Sequence, residues 1–284
     1  MIIFKQWGWL GNQIFHYCAI RSIMKPSEIL ILSGFEQLEE LFDGVDAVFA
    51  NKKSSRIKRE FYKRFVRLTE ILAEKKCITF ITENEDQSLV IKNGKFRFLK
   101  FVHGAFFQYE SILNGDIIKT LKIKNKYLKE AESVLSGLDI KNKKLFFLHV
   151  RRGDYLKWPE KNNPAVLPLE YYKYCMKVIR KNYQNSLFII TSDDKEYIKT
   201  HFSSEDSVYI SSNSYTTDFA LMTKCNGGIL SASSFSWWAS YFVHKQNIDA
   251  KLLAPEFWIG HRKKVWYPLH IKTSFLEYVN VEQL

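Results

Sequence analysis

The sequence predicts an α/β chain of two domains with a cleft between them, and three observations carry that reading. Short apolar runs alternate with longer segments of helical periodicity. A polar stretch, "GLDIKNKK" at Gly137–Lys144, interrupts the alternation near mid-chain and reads as a linker. At Leu145 the alternation begins afresh, as a second nucleotide-binding-type domain would. A length of 284 residues suits two domains of ordinary size. The expected division is 1–143 and 144–284.

In chain order, Ile2–Lys5 reads as a first strand. It lacks the basic start and the apolar run ending in small residues that mark a signal peptide. Helical periodicity follows at Asn12–Ser22 and an apolar strand at Ile29–Leu32. In "SSRIKREFYKRFVRLTEILAEKK", Ser54–Lys76, the residues Ile57, Phe61, Phe65, Leu68 and Leu72 recur at steps of three or four. That spacing predicts a helix with one apolar stripe packed on its domain. Arg56, Lys58, Arg59, Lys63, Arg64 and Arg67 crowd its other faces, either as a solvated surface or as one that rests on anionic lipid. A helix at Lys124–Leu135 precedes the linker. Beyond it come strands at Lys144–Val150, Leu187–Thr191, Val208–Ile210, Gly228–Ser231 and Leu252–Ala254. Helices at Leu169–Asn182, Asp194–His201, Asp218–Lys224 and Ser236–His244 alternate with them.

Composition narrows the field. No apolar run is long enough to span a bilayer. Cys18, Cys77, Cys175 and Cys225 lie far apart with no C-x-x-C pair, so they read as reduced, mostly buried thiols of a cytoplasmic protein. A formal charge of +12 favours anionic partners. A nucleic-acid role is disfavoured, because interleaved stacking aromatics and known binding motifs are missing.

Chemistry gathers where predicted strands end. "LFFLHVRRGDYLKW", Leu145–Trp158, runs a buried strand into His149, Arg151 and Arg152, and ligands of parallel sheets bind beyond such carboxyl ends. Arginine offers a permanently charged fork that fits phosphate oxygens, although a pair in surface salt bridges would read the same way. "LFIITSDDKEYIK", Leu187–Lys199, ends a strand in Ser192, Asp193 and Asp194. One carboxylate suffices to cap the helix, which leaves the other for a base such as guanine. "GGILSASSFSWWASYF", Gly227–Phe242, ends a strand in serines and opens a helix whose N–H groups suit an anion. Trp237 and Trp238 read as core. Together these groups suit a nucleotide diphosphate. There is no phosphate loop of the Gly-rich types, no Asp-x-Asp triplet, and no histidine in metal-ligand spacing.

"HVRRGDYL" resembles the H-x-R-R-G-D-Y motif of the α-1,2-fucosyltransferases, glycosyltransferase family 11. "GWLGNQIFHYCA", "TSDDKEYIK", "DFALMTKC", "SASSFSWWASYF" and "LLAPEFW" are similar to further blocks of that family, in family order from Gly8 to Trp258. The resemblance implies a GT-B-like fold of two Rossmann-type domains facing across the cleft, with domain 1–143 on the acceptor side. It implies inverting, metal-independent transfer of fucose from GDP-β-L-fucose, bound by domain 144–284, to a galactose-terminated glycan, in an α-1,2 linkage or else another one, with no cofactor; the basic helix, if it rests on lipid, would bring the cleft to a lipid-linked acceptor. By matched position, His149 and Asp193 would hold guanine or ribose and Arg151 the diphosphate. Arg152 would support them, and Ser233, Ser234, Phe235 and Ser236 would line the phosphate pocket. Gly11, Asn12 and Gln13 would form a loop near fucose and acceptor. Asp154 is the first candidate for the base, or else a brace for Arg151, and Glu170 is a weaker candidate. Departures from the family pattern are Trp9, His16, Gly227, Gly228, Ser231 and Ala232.

Overall fold

The computed structural model describes residues 1–6, 8–50 and 56–284, the side chains of Arg56, Lys58 and Arg59 excepted. The chain divides into two compact units, Met1–Lys124 and Asn125–Leu284. The boundary therefore falls before the helix Asn125–Ser136 and not in the polar stretch after it. That helix buries Tyr127 and Ala131 and packs against the helix Tyr215–Thr223. Thr217 donates to Glu130 at 2.5 Å, and Lys224 pairs with Glu132 at 2.8 Å. Buried apolar contact outweighs a polar run as a marker of where a domain starts.

In the first unit a six-stranded sheet is built outward from the buried strand Ile2–Lys5, which pairs in parallel with Leu30–Ser33 on one side and Phe96–Val102 on the other. Alternation sends successive side chains to opposite faces. Ile3 meets Val66 and Ala73 of the helix Arg56–Glu74, whereas Phe4 meets His16 of the helix Leu10–Ile23 at 4.8 Å between rings. Ile78–Glu83 and Leu89–Lys92 form an antiparallel hairpin at the sheet's far side.

The second unit is a six-stranded, wholly parallel sheet. Numbered in chain order, its strands are Lys144–Val150, Ser186–Ser192, Val208–Ile210, Gly227–Ile229, Leu252–Pro255 and Glu277–Val279, and they lie in the order 3-2-1-4-5-6. This is the doubly wound order of dinucleotide-binding domains, whose crevice opens where the order reverses, between strands 1 and 4. One face carries Phe146, Leu148, Phe188 and Ile190 against Tyr171, Tyr172, Met176 and Ile179 of the helix Leu169–Asn182. Gly227 and Gly228 have a packing reason. A Cβ on Gly228 would lie 2.3 Å from the Phe147 ring, and one on Gly227 2.8 Å from the Phe146 ring. Two phenylalanines on strand 1 therefore occupy the space that side chains on strand 4 would need.

Candidate active site

Strands 1 and 4 of the second unit are stitched together at their carboxyl ends by one hydroxyl. Ser231 donates to the carbonyl of His149 at 2.8 Å and accepts from the backbone N–H of Arg151 at 2.9 Å. Its single proton is thereby used, so the Tyr172 hydroxyl 2.6 Å away donates to it. The switch point is held rigidly, and Arg151 leaves the sheet there.

Arg151 extends between two carboxylates, Asp154 at 2.6 Å and Asp193 at 2.9 Å. Arg152 is tied differently. Its backbone N–H donates to Asp193 at 2.9 Å and its Nε to Asp194 at 3.1 Å, while its guanidinium lies 3.6 Å from the Tyr197 ring centre. Asp194 also caps the following helix by accepting from the N–H of Tyr197 at 3.0 Å. Gly153 is required by this closeness, since a Cβ there would sit 2.5 Å from Asp193 Oδ2.

Several expectations change here. Asp193 is engaged before any base arrives, one oxygen accepting from the Arg152 N–H and the other pairing with the Arg151 guanidinium. Two adjacent guanidinium groups need counter-charge, and the nearest strand end supplies it. Ser236 does not line a pocket: it is fully buried and donates to the carbonyls of Ser231 and Ser233, both at 3.1 Å. Gly11, Asn12 and Gln13 form no loop but the first turn of the helix Leu10–Ile23. Gln13 is buried, accepts from the N–H of Leu38 at 2.9 Å and donates to the carbonyl of Gly8. Asn12 accepts from Gln108 at 2.8 Å. These residues close their own unit's interior.

Ser233 is the cap of the helix Ser234–Gln246, and its side chain makes no bond to the helix's first turn. Phe235 is partly buried, 5.3 Å between rings from His149. Trp237 and Trp238 are core, at most 1% exposed. All four cysteines are free thiols.

His149 is buried, and its Nδ1 has no hydrogen-bond partner. Its pKa is lowered to about 3 by burial, with help from the charges of Arg151 and Lys195, so the ring is neutral at pH 7. Lys195 leads to a feature that the sequence reading passed over. It pairs at 2.9 Å with Asp218, a carboxylate only 4% exposed that also accepts from the Ser211 hydroxyl. Burial raises the pKa of Asp218, and Lys195 and Ser211 oppose that rise. The available signal was a carboxylate opening the apolar segment "DFALM". Among the described residues no group of three or more His, Cys, Asp or Glu side chains could hold a metal ion.

A doubly wound unit with guanidinium groups and a helix start at its switch point has the arrangement in which open α/β sheets bind their ligands. Comparison with known proteins gives the family. The model of glycosyl transferase family 11 matches residues 67–258; the chain belongs to that family. An Escherichia coli protein named O-antigen biosynthesis glycosyltransferase WbnK is 30% identical over 122 residues, 41% of this chain and 40% of that one. The human galactoside alpha-(1,2)-fucosyltransferase 1 is 31% identical over 125 residues, 40% of this chain and 34% of that one. The matched segments thus span well under half the length of these relatives.

Solved structures agree in fold. The fucosyltransferase NodZ from Bradyrhizobium aligns with a TM-score of 0.50 at 11% identity over 85% of this chain and 92% of that one. POFUT1 in complex with GDP-fucose aligns at 0.54 and 13% identity, over 86% and 94%. The fold is GT-B-like, built of two α/β units.

Proposed function

We propose that this glycosyltransferase moves L-fucose from GDP-β-L-fucose to a hydroxyl of a galactoside, forming an α-1,2 linkage with inversion and without a metal, in assembly of a cell-surface glycan. The observation that carries the reading is Arg151 at the switch point of a 3-2-1-4-5-6 sheet, where the helix Ser234–Gln246 also begins. The names of the relatives, galactoside α-1,2-fucosyltransferases and an O-antigen glycosyltransferase, supply the donor sugar and acceptor class.

In the reaction the bond from fucose C1 to the β-phosphate oxygen breaks, and its electron pair leaves with GDP. Arg151 and the positive end of the helix Ser234–Gln246 stabilise that charge. An acceptor oxygen attacks C1 from the opposite face, and Asp154 takes its proton. One oxygen of Asp154 pairs with Arg151, and the other makes no hydrogen bond among the described residues. Neutral His149, with Nδ1 buried and unpaired, meets a ribose or guanine polar group. Asp193 and Asp194 set the arginines in place.

The test is incubation of the whole protein with GDP-fucose and lactose in excess EDTA, with the product linkage fixed by NMR. Fucosylated lactose linked α-1,2 is expected. Arg151→Ala should lower kcat/KM by about 100- to 1,000-fold in a folded protein. Near-normal turnover by that variant, or activity that Mn²⁺ or Mg²⁺ alone restores, would refute the mechanism.

A second reading concerns the acceptor's setting. The helix Arg56–Glu74 exposes Ile57, Phe61, Leu68 and Ile71, with Lys63, Arg64 and Arg67 also exposed. Apolar residues in solvent beside cations favour a face that rests on anionic lipid, near a lipid-linked acceptor.

A further inference from the structure

A row of aromatic rings runs outward from Arg151 on the second unit. The guanidinium lies 5.4 Å from the Tyr155 ring centre; Tyr155 lies 5.4 Å from Trp158, and Trp158 6.2 Å from Tyr267. The rings tilt by 33° and 40° and do not interlock edge-on. The inner ring is fastened, with the Tyr155 hydroxyl donating to the carbonyl of Ala232 at 2.9 Å. The outer two are open: Trp158 is 36% exposed and Tyr267 43%.

We infer that Trp158 and Tyr267 form a stacking platform for a saccharide, the acceptor's sugar rings, beginning one aromatic ring away from the arginine that holds the diphosphate. This rests on the fucosyl-transfer reading and locates the acceptor that it requires.

Three features favour a sugar. The C–H-bearing face of a pyranose carries partial positive charge, which the negative face of an aromatic ring attracts, and a tilted, half-open pair of rings presents such faces. The rim is polar: Glu160 accepts from Asn163 at 3.3 Å and pairs with Lys263 at 2.7 Å, groups suited to sugar hydroxyls. The support is fixed, because the carbonyl of Trp158 accepts from Ala165 at 2.7 Å and Arg262 donates to the carbonyl of Pro164 at 3.0 Å. A platform pinned from both sides loses little freedom on binding. The first-unit residues expected to meet the acceptor, by contrast, have their side chains engaged within that unit.

The experiment compares wild type with Trp158→Ala, Trp158→Phe and Tyr267→Ala, each checked for folding by circular dichroism. KM for lactose, KM for GDP-fucose and slow hydrolysis of GDP-fucose without acceptor are measured. Trp158→Ala and Tyr267→Ala should raise KM for lactose about tenfold or more. KM for GDP-fucose and hydrolysis should stay near wild type, and Trp158→Phe should recover most of the loss. Unchanged KM for lactose in folded alanine variants overturns the platform while leaving fucosyl transfer intact. A wild-type protein inert toward GDP-fucose overturns the fucosyl reading instead. Saturation-transfer NMR with lactose then decides the platform: signal in wild type that is lost in Trp158→Ala supports it, and any other result overturns it.

Discussion

Two guanidinium groups at one strand end demand counter-charge, and here three carboxylates divide the work. Asp193 serves both arginines, Asp194 combines a helix cap with a bond to Arg152, and Asp154 alone is more than half exposed. That division separates a proton acceptor from a brace. If Asp154 accepts the acceptor's proton, Asp154→Asn should lower kcat by about 100- to 10,000-fold, with affinity for GDP changed less than about threefold. Steady-state kinetics with calorimetry of GDP binding measures both. Parallel losses in turnover and GDP affinity would assign Asp154 to positioning Arg151 alone. The positions of these groups were legible in "HVRRGDYL" and "TSDD", because strand ends can be read from apolar runs. Their pairing was not, since which carboxylate reaches which arginine depends on a parallel register that joins residues 41 apart.

Elements repeat the lesson at larger size. The strands and helices of the second unit were legible almost throughout, as their buried runs alternate cleanly with helices. The hairpin at Ile78–Lys92 and the strand Phe96–Val102 were not, because their residues alternate with charged and polar ones on a half-open sheet. The helix Arg56–Glu74 is the sharpest case. Periodicity found its helix and half of its inner face: Phe65 and Leu72 of the stripe pack against the core with Tyr62, Val66 and Ala73, while Ile57, Phe61 and Leu68 are exposed. Ser54 and Ser55, and the side chains of Arg56, Lys58 and Arg59, lie outside what the structure describes. When apolar residues cover more of a helix than its sheet can bury, their spacing alone does not say which part meets the sheet. The exposed side leads to a direct expectation. The protein should sediment with phosphatidylglycerol vesicles at low salt and be released by high salt, each basic residue near the surface contributing about 1 kcal/mol. Changing Lys63, Arg64 and Arg67 together to Gln, or Phe61 and Leu68 to Ser, should abolish it. No sedimentation at low salt, or none of the loss in either variant, leaves a merely solvated helix.

For the whole molecule, the two units share one acid-sensitive design: each buries a neutral imidazole beside its first strand. His16 sits among Phe4, Phe35 and Phe107, with ring centres 4.8, 6.1 and 6.5 Å away. Burial lowers its pKa to about 3, as it does that of His149. In the unfolded chain both would titrate near 6.5. Between those limits the unfolded state binds more protons than the folded one, so stability must fall as pH drops below about 6.5. Carboxylates held low by ion pairs, such as Glu28 beside Lys100, add their own loss only nearer their ordinary range. His261 in the second unit, lowered to about 4 by burial, behaves alike, so a fall from pH 7.0 to 5.5 isolates three histidines, which together should cost about 3–4 kcal/mol. Urea unfolding at the two pH values measures it. His16→Gln removes one of the three titrating groups, whatever it costs in packing, and should cut the pH-dependent part by about a third. Equal stability at both pH values, or an undiminished difference in that variant, would show that these rings are solvated or paired and would remove the charge argument for His149 at the donor site.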